Sequence, residues 1–115
     1  MTKRLYISAD IEGVAGVVSK SQTGPSGFEY ADARRWMTDE VNAVVDAAKE
    51  NGIDEVVVSD SHGNAQNLLP ADLRPGVQLI RGWPRPLGMM QGIEFGSFVG
   101  AVFVGYHTGA RATQG

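Results

Sequence analysis

Two runs rich in β-branched and aromatic residues flank a long segment of helical periodicity, and this arrangement constrains the fold more than any other feature. The first run covers residues 4–12, and the second, residues 54–60, follows the Asn51-Gly52 pair almost directly. Between about residue 28 and Asn51, apolar side chains recur at the spacing of one helical face. These are Met37, Val41, Val44, Val45 and Ala48. Because Asn and Gly tolerate the conformation that ends a helix, the pattern predicts a strand–helix–strand unit with parallel strands.

The rest of the chain adds two shorter strand candidates, residues 77–80 and 100–106. A glycine-rich loop over residues 13–27 is long for a passive connector and is more typical of a binding or covering segment. Residues 82–92 mix glycine and proline with large apolar groups, so their conformation is not predicted. At 115 residues, the chain is expected to form a single α/β metal-binding domain, a three-layer sandwich with a largely parallel sheet.

Composition excludes several classes of partner. The net charge is -3, and no basic cluster is longer than Arg34-Arg35, which disfavours a nucleic acid or an anionic membrane. No apolar stretch approaches the roughly 20 residues that cross a bilayer, and the N-terminal residues lack a signal-peptide core, so we expect a cytoplasmic protein. Cysteine is absent, so a metal would have to be held by oxygen and nitrogen ligands.

Two carboxylates and the only two histidines follow the predicted strands. Asp10 and Glu12 lie two residues apart, which places both side chains on one face, where like charges repel unless a cation lies between them. His62 follows the second strand, and His107 follows the last one. The carboxyl ends of parallel strands meet at one edge of a sheet. The sequence therefore predicts a site for zinc or a related divalent ion formed by these four residues at the C-terminal ends of the strands.

Asp60 has two interpretations, which the sequence leaves open. It lies two residues before His62 and could orient the imidazole, as carboxylates commonly do for metal-binding histidines. It could equally form a turn or cap the segment that follows. The chain has no Gly-rich phosphate loop and no Gly-x-Ser-x-Gly elbow, so nucleotide binding and serine-hydrolase chemistry are rejected.

Three motifs in order carry a family resemblance: Ser8-Ala9-Asp10-Ile11-Glu12-Gly13, Asp60-Ser61-His62 and Gly105-Tyr106-His107. With the intervening segments 37–42 and 86–92, the chain resembles the zinc-dependent D-aminopeptidase family of the DppA type over essentially its whole length. The resemblance implies two zinc ions in one pocket, with Asp10 bridging them and Glu12, His62 and His107 completing part of the coordination. It also implies a zinc metallopeptidase that removes N-terminal D-amino acids from short peptides and forms ring-like homo-oligomers, commonly decamers.

The family's further glutamate ligand and its catalytic histidine lie beyond the position that matches Gly115. The catalytic residue is therefore not assigned within this sequence. We expect the chain to be the N-terminal part of a longer protein of the family type.

Two alternatives use the same residues differently. The first is another metal-dependent hydrolase, an amidase or a phosphoesterase, since fold and ligands do not specify the bond that is cleaved. The second is a non-catalytic fragment or an oligomerising binding module. In that case the histidines are structural and the segment from Trp83 to Met90 forms the contact between copies.

Overall fold

The computed structural model describes residues 1–109, 111 and 113. Its central element is one parallel sheet. Within these residues the strands are β1 (Arg4–Ala9), β2 (Glu55–Asp60), β3 (Gln78–Ile80) and β4 (Gly100–Val104). Their order in the sheet is β3-β2-β1-β4, and every pairing is parallel. The predicted α/β class and parallel sheet are confirmed. Residues 110, 112, 114 and 115 of the predicted 1–115 domain lie outside the description.

The long helix α1 (Tyr30–Glu50) covers one face of the sheet. Its buried stripe packs with inward-facing residues of the strands in one apolar core, whose members include Ile7, Ala9, Met37, Val41, Val45, Val56, Val58 and Val104. The helix ends where predicted, because Gly52 adopts a left-handed φ of +89°, and the Asn51 side chain donates to the Ala47 carbonyl at 2.7 Å. No helix among the described residues is both long and apolar enough to cross a membrane.

The opposite face of the sheet is covered by an irregular segment, residues 81–98, which includes a 3-10 turn (Gly88–Met90). Tyr6 on β1 donates a hydrogen bond from its hydroxyl to the Gln91 carbonyl at 2.9 Å, and its ring meets Phe98 edge-on. The buried Arg85 guanidinium donates to Ser59 and to the Asp60 carbonyl. This segment forms the third layer without a second long helix, which its proline and glycine content disfavours. Two further 3-10 turns are Lys20–Gln22 and Pro70–Asp72.

The order of the strands fixes where a ligand would bind. The chain moves outward from β1 through β2 to β3, then returns to place β4 on the other side of β1. The direction of winding therefore changes between β1 and β4. In open α/β sheets, ligands bind beyond the carboxyl ends of the strands at this switch point.

Candidate metal centre

Asp10, Glu12, His62 and His107 come together at the switch point. Nδ1 of His62 lies 3.1 Å from Oδ1 of Asp10 and 3.2 Å from Oε1 of Glu12. Nε2 of His107 lies 3.4 Å from Oδ2 of Asp10 and 3.6 Å from the same Glu12 oxygen. The structure therefore brings together all four residues that the sequence predicts as ligands.

Each of these separations matches the distance between two ligand atoms of a tetrahedral zinc ion. Zinc binds imidazole nitrogen and carboxylate oxygen at roughly 2.0–2.2 Å in a tetrahedron, so two of its ligand atoms lie about 3.3–3.6 Å apart. The four distances span 3.1 to 3.6 Å. Asp10, Glu12 and His62 form a group whose ligand atoms all lie within 4.8 Å of one another, and His107 lies outside this group, beside the other oxygen of Asp10. The donor set of two carboxylates and two imidazoles is also one that zinc accepts.

Hydrogen bonds fix which nitrogen of each imidazole faces the carboxylates. Nε2 of His62 lies 2.6 Å from the Thr23 carbonyl oxygen, and Nδ1 of His107 lies 2.5 Å from that of Thr108. A carbonyl oxygen only accepts, so each of these nitrogens carries the hydrogen. In a neutral imidazole the other nitrogen then presents a lone pair to the carboxylates. Two acceptors that close need a proton or a cation between them, and carbonyl-oriented imidazoles are typical of metal ligands.

The pKa values of Asp10 and His62 shift in the directions that favour opposite charges. Hydrogen bonding to Asp10 raises the pKa of His62, although burial acts against this. Burial alone would raise the pKa of Asp10, which is 2% exposed, but hydrogen bonds from His62 and the Ile11 N–H bring it below its ordinary value. The site therefore stabilises a carboxylate anion beside a positive charge, and a metal ion satisfies the same requirement.

Two glycines allow the ligand-bearing loops after β1 and β4 to touch. The Gly13 N–H donates to the Gly105 carbonyl at 2.7 Å. A Cβ atom at Gly13 would lie 2.6 Å from the Tyr106 carbonyl carbon, and one at Gly105 would lie 2.8 Å from the Val14 side chain. Gly105 also has a φ of +68°, which a side chain would strain. Larger residues at either position would separate Glu12 from His107.

Asp60 forms no hydrogen bond or ion pair with the imidazole of His62, although one interpretation of the sequence expects it to orient that ring. Its carboxylate is buried and accepts hydrogen bonds from the backbone N–H groups of Asn67 and Leu68 at 2.6 and 2.7 Å. The Asn67 side-chain amide donates both to Asp60, at 2.9 Å, and to the His62 carbonyl, at 2.6 Å. The structure thus shows the other interpretation, a carboxylate that caps the following segment, and Asp60 holds the backbone rather than the ring of His62.

The sequence did not single out the residue that orients His62. The Thr23 carbonyl belongs to the loop of residues 13–27, which is anchored by the buried side chain of Gln22 through a 2.8 Å bond to the Gly16 carbonyl. A backbone acceptor leaves no mark in a side-chain motif. The only signal was the length of the loop, which predicts a binding or covering role.

The fold and the site together define a parallel α/β domain with a carboxylate–imidazole centre at its switch point. The sequence profile of the D-aminopeptidase family matches residues 3–115. A D-aminopeptidase of Bacillus subtilis (strain 168) is 37% identical over 110 residues, which are 96% of this chain and 39% of that protein.

The solved structure of the Zn-dependent D-aminopeptidase DppA from Bacillus subtilis, described as a self-compartmentalizing protease, is similar with a TM-score of 0.89 and 35% identity. The match covers 95% of this chain and 39% of that one. The chain therefore belongs to the D-aminopeptidase family, which confirms the resemblance, and it spans about two fifths of the length of these relatives.

Proposed function

We propose that the protein carrying this chain is a zinc-dependent aminopeptidase that removes N-terminal D-amino acids from short peptides with a metal-activated water. The observation that carries the proposal is the meeting of two carboxylates and two imidazoles at separations of 3.1 to 3.6 Å. Asp10, Glu12, His62 and His107 would hold the metal. Membership of the D-aminopeptidase family and the zinc dependence of a relative support the choice of metal and substrate.

The two oxygens of Asp10 support a site for two ions. Oδ1 lies beside His62 and Oδ2 lies beside His107, so the two imidazoles approach the carboxylate from different oxygens. Asp10 would therefore help to hold both ions, with His62 contributing to one and His107 to the other. Because two tetrahedral ions need more than these four side chains, water, substrate or other residues would supply the remaining ligands.

The four residues would supply position and charge to the reaction. Bound zinc would supply a water molecule that loses a proton near neutral pH, and it would polarise the carbonyl of the scissile bond. The carbonyls of Thr23 and Thr108 hold the two imidazoles in place, which keeps the ligand nitrogens directed toward the carboxylates.

We also propose that the intact protein assembles as a homo-oligomeric ring, with a decamer as the expected form. A relative is described as self-compartmentalizing. The segment from Trp83 to Met90 exposes Trp83, Leu87 and Met89, which are apolar side chains suited to contact between copies.

Hydrolysis assays with paired carboxylate variants test the proposed activity. Glu12→Gln removes the charge of a candidate ligand. Glu55→Gln removes the charge of a similarly exposed carboxylate at the N-terminal end of β2, away from the site. We expect the intact protein to hydrolyse D-alanyl-D-alanine in a chelator-sensitive reaction that Glu12→Gln abolishes and Glu55→Gln preserves. Preference for L-alanyl-L-alanine would contradict the stereochemistry. Hydrolysis of p-nitrophenyl phosphate but of neither dipeptide would replace the peptidase with a phosphoesterase.

A further inference from the structure

Three hydroxyl groups meet on the face of the sheet opposite α1, and each belongs to a residue close to a candidate ligand. Ser8 lies two residues before Asp10, while Ser61 and Tyr106 directly precede His62 and His107. Oγ of Ser8 lies 2.8 Å from Oγ of Ser61 and 2.6 Å from the hydroxyl oxygen of Tyr106. We call Ser8, Ser61 and Tyr106 the hydroxyl cluster. It connects the ends of all three ligand-bearing strands.

The available hydrogens make Ser8 the centre of the hydroxyl cluster. Oγ of Ser8 lies 2.6 Å from the Met89 carbonyl, which can only accept, so Ser8 donates its single hydrogen there. Tyr106 must then donate its own hydrogen to Ser8. Ser61 donates to Ser8, to the same Met89 carbonyl at 2.9 Å or to the Ser59 carbonyl at 3.2 Å. Ser8 is completely buried, and its truncation removes the one group that contacts both the Ser61 and the Tyr106 hydroxyls.

The hydroxyl cluster acts where the backbone pairing of the strands has ended. β2 ends at Asp60 and β4 ends at Val104, so Ser61 and Tyr106 lie beyond the regular ladders. From Ala9 onward, isolated backbone hydrogen bonds join the chain to these segments. The Ser61 N–H donates to the Ala9 carbonyl, and the Gly13 N–H donates to the Gly105 carbonyl. Side-chain bonds to Ser8 therefore brace the two residues that lead directly into the histidines.

We infer that Ser8 is a positioning residue that sets the separation of the two imidazoles at the metal centre. This inference rests on the proposed function, because it requires that the four candidate ligands bind a metal. Ser8 touches no ligand atom and acts through the backbone of Ser61 and Tyr106. A merely structural role would make Ser8 matter for stability but leave the coordination of a bound metal unchanged.

Cobalt binding to the intact, zinc-depleted protein separates these roles, because the visible spectrum of bound Co²⁺ reports its coordination geometry. Groups that orient metal ligands typically change metal affinity by 10- to 100-fold when mutated. We expect Ser8→Ala to weaken Co²⁺ binding by about 10-fold or more and to change the visible spectrum. Tyr106→Phe removes one hydroxyl of the cluster from a less buried residue and should act in the same direction. The double variant should lose less than the sum of the two single losses in free energy, because both remove the same contact.

Thr38→Val is the matched control. Its buried hydroxyl donates to the Arg34 carbonyl at 2.8 Å and accepts from the Leu69 N–H at 3.0 Å, away from the hydroxyl cluster. We expect this variant to lose stability but to keep the wild-type Co²⁺ affinity and spectrum.

The outcomes distinguish the inference from the proposed function. If the wild-type protein binds no Co²⁺, both are overturned. If the wild-type protein binds Co²⁺ and the Ser8 and Tyr106 variants match Thr38→Val, only the positioning role is overturned. If Ser8→Ala does not fold, Tyr106→Phe decides alone: wild-type Co²⁺ binding in that variant would refute the inference.

Discussion

The contact between Gly13 and the loop after β4 allows a local perturbation of the metal centre. In Gly13→Ala the new methyl group would lie 2.6 Å from the Tyr106 carbonyl carbon and 2.7 Å from the Gly105 carbonyl oxygen, whereas ordinary contact begins at 3.4 Å. The Tyr106 carbonyl oxygen lies closer still, so one loop must retreat by about 1 Å or more. Functional constellations tolerate about 0.5 Å of displacement, so this movement is enough to disturb a site that includes Glu12 and His107.

Two costs are expected from Gly13→Ala. Inserting a methyl group against backbone lowers the free energy of unfolding by about 1–3 kcal/mol, as overpacking usually does. Zinc affinity should fall by about 10-fold or more, since the loop that carries His107 moves away from Glu12. Urea unfolding of the metal-free protein measures the first effect, and competition with a zinc chelator measures the second.

Gly24→Ala provides the control for this prediction. A Cβ atom at Gly24 meets nothing within 4 Å, and its backbone does not adopt the left-handed conformation. This variant should be neutral or slightly stabilising, because alanine restricts the unfolded chain. Equal zinc affinities for Gly13→Ala and Gly24→Ala would refute the argument that close approach of the two loops builds the site.

Four further substitutions test other parts of the account. His62→Ala and His107→Ala should each weaken chiefly one of two ions, so that metal content falls toward half in both; a variant that retains the full content would remove that histidine from the ligand set. Asn67→Ala, which deletes amide bonds to Asp60 and the His62 carbonyl, should lower the free energy of metal-free unfolding by about 1–3 kcal/mol in urea, and a change below about 0.5 kcal/mol would contradict this. Trp83→Ser, at a side chain with 61% exposure, should lower the oligomer mass measured by light scattering while zinc stays bound; an unchanged mass would argue against this segment as the interface.

The parts of the fold with strong periodicity could be predicted from the sequence. Met37, Val41 and Val45 lie on one face only if the segment is helical, and in the structure that face is buried. The observed α1 lies within the predicted range of residues 28–51. β1 is shorter than predicted, because strand pairing depends on neighbours as well as on the sequence of the strand itself. Ile11 still enters the core beyond the end of β1, which explains why the apolar pattern continues past Ala9.

The positions of the candidate ligands could also be predicted, because a rule of topology places strand ends together even when they are distant in sequence. The hydrogen-bond partners of the side chains around the site could not be predicted from the sequence. Nothing in the sequence around Asp60 says that its carboxylate accepts from Asn67 and Leu68, seven and eight residues later. The orientation of His62 depends on a backbone carbonyl at Thr23, which is 39 residues away and independent of the side chain there.

Metal content per chain, measured on the intact protein and on its Asp10→Asn variant, tests the central claim most directly. This substitution keeps the size of the side chain and removes the charge that lies between His62 and His107. Elemental analysis after gel filtration without chelator should find between one and two zinc ions per wild-type chain and almost none in the variant. No zinc in the wild-type protein after incubation with zinc, or equal zinc in both proteins, would contradict the assignment of this site.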